Sequence, residues 1–182
     1  MKKKTKKELL SILLRYSILV FLSIFGVTIF YFIFKPLTLY SSFFLFKLFY
    51  DVSIVQSNTI RFANYLLDLQ IIGACVAGSA YYLLMILNLS TPNIKIKKRL
   101  SMLGISIVAF LIANVLRIFW VGVLFANSSK YAVLVHEVFW YFGSIFLLII
   151  IWFIEVKKFN VKDIPFYSDI RFFTKYIKKS NR

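Results

Sequence analysis

The sequence predicts an all-α polytopic membrane protein with about four transmembrane helices and a small outward-facing segment before the helix that carries its cysteine. Three observations support this. The 182 residues are 60% hydrophobic with a mean hydropathy of +0.80, more apolar than a soluble domain of this size. The apolar residues fall into runs long enough to cross a bilayer. The basic residues, which bring the net charge to +16, cluster between and beyond those runs. In a soluble chain such a charge would suggest nucleic acid. Here it marks topology and contact with anionic lipid, and no nucleic-acid partner is expected. A single cysteine excludes an internal disulfide and a zinc-finger framework. No cleavable signal peptide is expected, because the first apolar run is too long and no small-residue cleavage site follows it.

Taken in order, residues 1–8 form a basic head and residues 9–156 the membrane domain. The first helix is expected over 9–34, with Arg15 near its start free to snorkel to the headgroups, and is ended by Lys35-Pro36. Residues 35–70 form the outward segment. Leu37–Tyr50, aromatic and interrupted by Lys47, reads as interfacial or re-entrant. Val52–Gln70 reads as a small β-meander, with turns at Ser57-Asn58 and Ala63-Asn64. The second helix, 71–89, is uncharged and carries Cys75 among Gly73, Ala74, Ala77, Gly78, Ser79 and Ala80. A polar loop with Lys95, Lys97, Lys98 and Arg99 leads to the third helix, 101–126. The link Asn127–Lys130 leads to the fourth, 131–156, with His136 near its start and Glu155 at its end. Residues 157–182 form a basic tail, whose weakly amphipathic piece Tyr167–Ile177 is expected on the membrane surface. Four spans put every segment dense in lysine and arginine on one side. Both termini are therefore expected in the cytoplasm of a multi-pass cell-membrane protein.

This topology places three polar residues at a common depth. Cys75 lies about 6–7 Å below the outer end of its helix, His136 about 7–8 Å and Arg117 about 13 Å, within reach of its long side chain. Small neighbours let a substrate approach the sulfur. Cys75 and His136 are each expected near a helix N-terminus, where the dipole favours thiolate and keeps imidazole neutral. An arginine inside a span costs about 2.5–3.5 kcal/mol on insertion scales and is a functional candidate by default. It could steady a thiolate or a developing oxyanion. His136 could deprotonate the thiol and later protonate a leaving amine. Asn114, three residues before Arg117 and on its face, is expected to orient the guanidinium. Each residue also has a structural reading: a buried cysteine, an arginine paired with a carboxylate or helix-end carbonyls, a histidine packed between helices. No cofactor or metal is implied.

At these residues the chain resembles the exosortase/archaeosortase family of membrane-embedded cysteine transpeptidases. The matching pieces are Ala74-Cys75 with Gly78, Asn114-Val115-Leu116-Arg117-Ile118, and His136 with Gly143 beyond, over roughly 54–153. The resemblance implies Cys75 as nucleophile, Arg117 as electrostatic stabiliser and His136 as general acid/base. It implies substrates that are secreted proteins with a C-terminal motif, a membrane helix and a basic tail. These are cleaved at the outer face and transferred to a lipid or surface glycan. Cys75 is followed by Val76-Ala77-Gly78 where the family often reads Cys-Ser-Gly. Many members also have more spans, so the resemblance implies a short form whose groove is completed by a partner or by a homo-oligomer. The competing reading is a non-enzymatic scaffold or assembly factor whose Arg117 pairs with a partner's helix. A transporter or channel fits less well, because no polar stripe crosses the full thickness.

Overall fold

The computed structural model describes residues 3–24, 28–161, 163 and 165–180. Met1, Lys2, Asn181 and Arg182, the extremities of the basic head and tail, lie outside them. The chain is mostly helical, and among the described residues four stretches are long and apolar enough to cross a membrane: Thr28–Lys47, Gly73–Ser90, Ile96–Ala126 and Ala132–Lys158.

The first of these corrects the expected helix over 9–34. Helix α1 runs Lys3–Ile24, and α2 runs Thr28–Lys47 straight through Pro36, so Leu37–Lys47 is neither interfacial nor re-entrant but the second half of a helix. Pro36 withholds a hydrogen bond from the Phe32 carbonyl. Ending the helix there would leave more backbone groups open in a medium that cannot satisfy them. Packing holds both sides of the proline. Phe34 stacks on Tyr81 with ring centroids 3.7 Å apart, while Thr38, Leu39, Ser42 and Phe46 are buried. Gly122 makes the seat for Phe46, since a Cβ there would lie 2.4 Å from the ring's Cζ. Arg15 of α1 bonds the Leu89 carbonyl, and Phe46 of α2 rests on Gly122, so α1 and α2 together run from one end of the bundle to the other.

The strand-like approach to the cysteine is a three-stranded antiparallel meander: β1 Val52–Val55, β2 Thr59–Phe62 and β3 Leu67–Gln70. Gln56 and Ser57 take positive φ at the first hairpin, as the strand twist favours. Side chains alternate along β2: Ile60 and Phe62 are buried while Arg61 is exposed and pairs with the opposing Asp68 at 2.7 Å. That partner holds the Asp68 carboxyl below its ordinary range. Phe62 meets Phe46 edge to face at 5.0 Å and ties the sheet to the bundle.

Beyond the sheet come α3 Gly73–Val76, α4 Gly78–Ser90 and α5 Ile96–Ala126, then α6 Ala132–Val138, a π turn Phe139–Gly143 and α7 Ser144–Lys158. Helix α5 begins five residues earlier than expected, which makes Lys97, Lys98 and Arg99 helical. Helix α8, Tyr167–Ser180, contains the amphipathic piece of the tail. Its buried Asp169 accepts hydrogen bonds from Arg15 at 2.8 Å and Tyr16 at 3.0 Å, which fastens it to α1.

Candidate functional site

Cys75 does not sit in the unbroken helix expected over 71–89. Its segment leaves β3 in extended conformation at Ile72, makes the single turn α3, and breaks at Ala77, where φ 55° and ψ 44° are left-handed. Gly73 and Gly78 flank this stretch and weaken a continuous helix, but a left-handed alanine still costs roughly 1–2 kcal/mol. Asn114 compensates. Its Nδ2 donates to the Cys75 carbonyl at 2.8 Å, a carbonyl that an unbroken helix would give to Ser79. Asn114 therefore fixes the backbone of the cysteine and does not orient Arg117, as its spacing had suggested. The Cys75 amide donates to the Ile72 carbonyl at 2.9 Å, and the thiol faces the Gln70 carbonyl at 3.9 Å.

The break also removes the dipole argument for the cysteine. The long helix begins at Gly78, beyond the cysteine. His136 lies near the start of the last span, which begins at Ala132 and continues through the π turn to Lys158, but as its fifth residue it is already past the first turn. Helix-end fields fade within a turn. Whatever biases these two groups comes from their neighbours.

Those neighbours include each other. Cys75 from α3, Arg117 from α5 and His136 from α6 line one cavity of about 100 Å³, with Gln70, Val121 and Phe125 completing much of its wall. All three are half-buried. The guanidinium donates to Ser144 Oγ at 2.7 Å, and on its other side it lines an apolar cleft of about 240 Å³ between α5 and the π turn. The His136 ring lies between two aromatics, 6.2 Å from Phe125 and 5.6 Å from Trp140, both edge to face. Among the described residues no hydrogen bond joins the three side chains directly. A thiol, an imidazole and a fixed guanidinium around one void supply a nucleophile, a proton acceptor and a cation for developing negative charge.

Sequence reasoning missed Ser144, because its alignment with His136 depends on the π turn. It also missed a second polar cluster at the other end of the bundle. Arg99 donates to the carbonyls of Asn88, Leu89 and Thr91 at the C-terminus of α4. Buried Glu155 accepts from Ser106 at 2.9 Å and from Asn88 at 3.2 Å. The available signal was polar residues inside apolar runs, but their partners lie on other helices. No protein-family profile, curated protein or solved structure matches this chain.

Proposed function

We propose that the protein is a membrane-embedded cysteine protease/transpeptidase that cleaves C-terminal sorting signals of secreted proteins and transfers them to a lipid or surface acceptor. The supporting observation is that Cys75, Arg117 and His136, from three separate elements, line one cavity. The resemblance stated above supplies the substrate class. In this reading both termini are cytoplasmic and the cavity opens toward the outer face.

His136 takes the thiol proton, and the thiolate attacks the scissile carbonyl, with Arg117 facing the oxyanion. Collapse forms a thioester to Cys75 and breaks the C–N bond. The departing amine, with its membrane anchor, takes the proton from His136. The acceptor's hydroxyl or amine then attacks the thioester, gives up its own proton to His136 and restores the thiol.

Thiol labelling in intact cells tests this without knowledge of the substrate. A membrane-impermeant or amphiphilic maleimide applied from outside should modify Cys75, the sole cysteine, in the folded protein. A cysteine that stays silent until the protein is denatured would contradict an outward-opening nucleophile.

A further inference from the structure

The last span is the only one of the four candidate spans that contains a π turn, and this turn lies between His136, which lines the cavity, and Ser144, which lines the apolar cleft and bonds Arg117. His136 and Ser144 are eight apart. In an uninterrupted α-helix they would face directions about 80° apart, since each residue turns the chain by about 100°. A π turn closes its hydrogen bonds over five residues and takes up one more residue than an α turn. That extra residue brings the separation back to about 20°, so both side chains face α5. The contacts agree with this: His136 meets Phe125 of α5, and Ser144 meets Arg117 of α5. Gly143 closes the turn because it has no Cβ. One there would lie 2.6 Å from Cδ1 of Phe139, the residue that opens the turn.

From this we infer that Ser144 is a positioning residue for Arg117, and that the π turn Phe139–Gly143 sets His136 and Ser144 on one face so that imidazole and guanidinium reach Cys75 together. The inference rests on the proposed reading of the cavity and adds to it the device that assembles it. Arg117 lines two voids, the one it shares with Cys75 and the apolar cleft on its other side. Ser144 lines only the cleft, so its bond anchors one guanidinium nitrogen on that side and fixes the orientation in which the remaining donors face the Cys75 void. Such a charge-assisted bond typically contributes more than a neutral one. Without it the guanidinium stays near the thiolate for a smaller fraction of the time. Ser144 touches no reacting atom.

Two readouts test this without any substrate. In the first, Cys75 of detergent-solubilised full-length protein is alkylated with an amphiphilic maleimide at neutral pH. Ser144→Ala should slow the reaction about tenfold, the factor carried by roughly 1.4 kcal/mol, and Ser144→Thr, which keeps the hydroxyl, should restore most of it. In the second, His136→Cys supplies a second thiol beside Cys75, and a mild oxidant should join the two. Deleting the exposed Tyr141 from the π turn should restore regular α-helix and cut the disulfide yield severalfold. Should the deletion protein fail to fold, the Ser144 pair decides the question alone. An alkylation rate unchanged by Ser144→Ala, or a disulfide yield indifferent to the deletion in a folded protein, would overturn the inference. If these chemical readouts behave as stated but no secreted substrate is ever processed, the enzymatic reading fails and the positioning device stands.

Discussion

The two ends of the helical bundle treat their polar residues in opposite ways. Around Arg99, Asn88, Ser106 and Glu155, charged and polar side chains are almost completely buried and tied to neighbours. Arg99 alone spans three carbonyls, and Glu155 accepts from two side chains. Around Cys75, Arg117 and His136 the groups are half-buried, share few bonds and border open space. Two irregularities inside the spans also lie there, the left-handed Ala77 on one element and the π turn on another. A polar residue in a membrane helix is costly in either setting. The first end recovers that cost through internal hydrogen bonds and serves as a clamp. The second leaves bonding capacity unused, as the proposed role of receiving a substrate would require.

Substitutions at the two ends should therefore separate stability from activity. The largest effect on stability is expected from Arg99→Met, which leaves the carbonyls of Asn88 and Thr91 at the α4 terminus without their donor and that of Leu89 with Arg15 alone. A loss of at least about 3 kcal/mol is expected, read as a lower thermal midpoint in detergent or as loss of the protein from the membrane. An unshifted midpoint would remove the clamp from the comparison. Arg117→Lys should do the reverse. The charge remains, but the planar fork that meets Ser144 and faces the thiolate is gone. Processing of a co-expressed substrate should fall by roughly a hundredfold or more, the usual worth of an oxyanion donor, with a midpoint much closer to the parent's than that of Arg99→Met.

His136→Ala should have a smaller effect that depends on pH. In the proposed mechanism the imidazole supplies a proton path and not the nucleophile, so slow processing should persist and recover as rising pH forms thiolate unaided. A rate loss equally deep at every pH would give the ring a different role. The smallest effect belongs to the sheet. The Arg61–Asp68 pair is exposed, and its partner holds the Asp68 carboxyl low in the folded state. Its contribution is present above the unfolded aspartate value of about 3.9. It is lost only as pH falls through the lower folded value. Asp68→Asn should thus leave processing at neutral pH unchanged and flatten only the acid limb of a stability profile.

The sequence made local features visible and left tertiary ones hidden. The number of spans was legible in the apolar runs and basic flanks, and the meander in the turn residues at Ser57-Asn58 and Ala63-Asn64. The depths of Cys75, Arg117 and His136 in their runs already pointed to one level, and the structure puts all three around one cavity. Pro36 misled because proline is a strong local breaker, whereas Phe34 against Tyr81 and Phe46 against Gly122 are contacts between helices. The dipole argument failed at Cys75 for the same reason: it required a long helix that begins at the cysteine. Ala77 and the π turn are conformations that no propensity favours and that only the surrounding packing and Asn114 sustain. Asn88, Ser106 and Glu155 come together from positions as far as 67 residues apart, beyond the reach of any periodicity.

The central claim is that Cys75 forms a covalent bond with its substrate. The most direct measurement follows a co-expressed secreted protein with its C-terminal anchor by size shift and by loss of a tail epitope, in cells making the parent chain, Cys75→Ser or Cys75→Ala at equal levels. The parent should process the substrate. Both variants should insert normally, because the cysteine borders a cavity among small residues, and both should leave the anchor in place, because a hydroxyl is a much weaker acid than a thiol and alanine has no nucleophile. Full processing by the two variants would contradict the covalent mechanism.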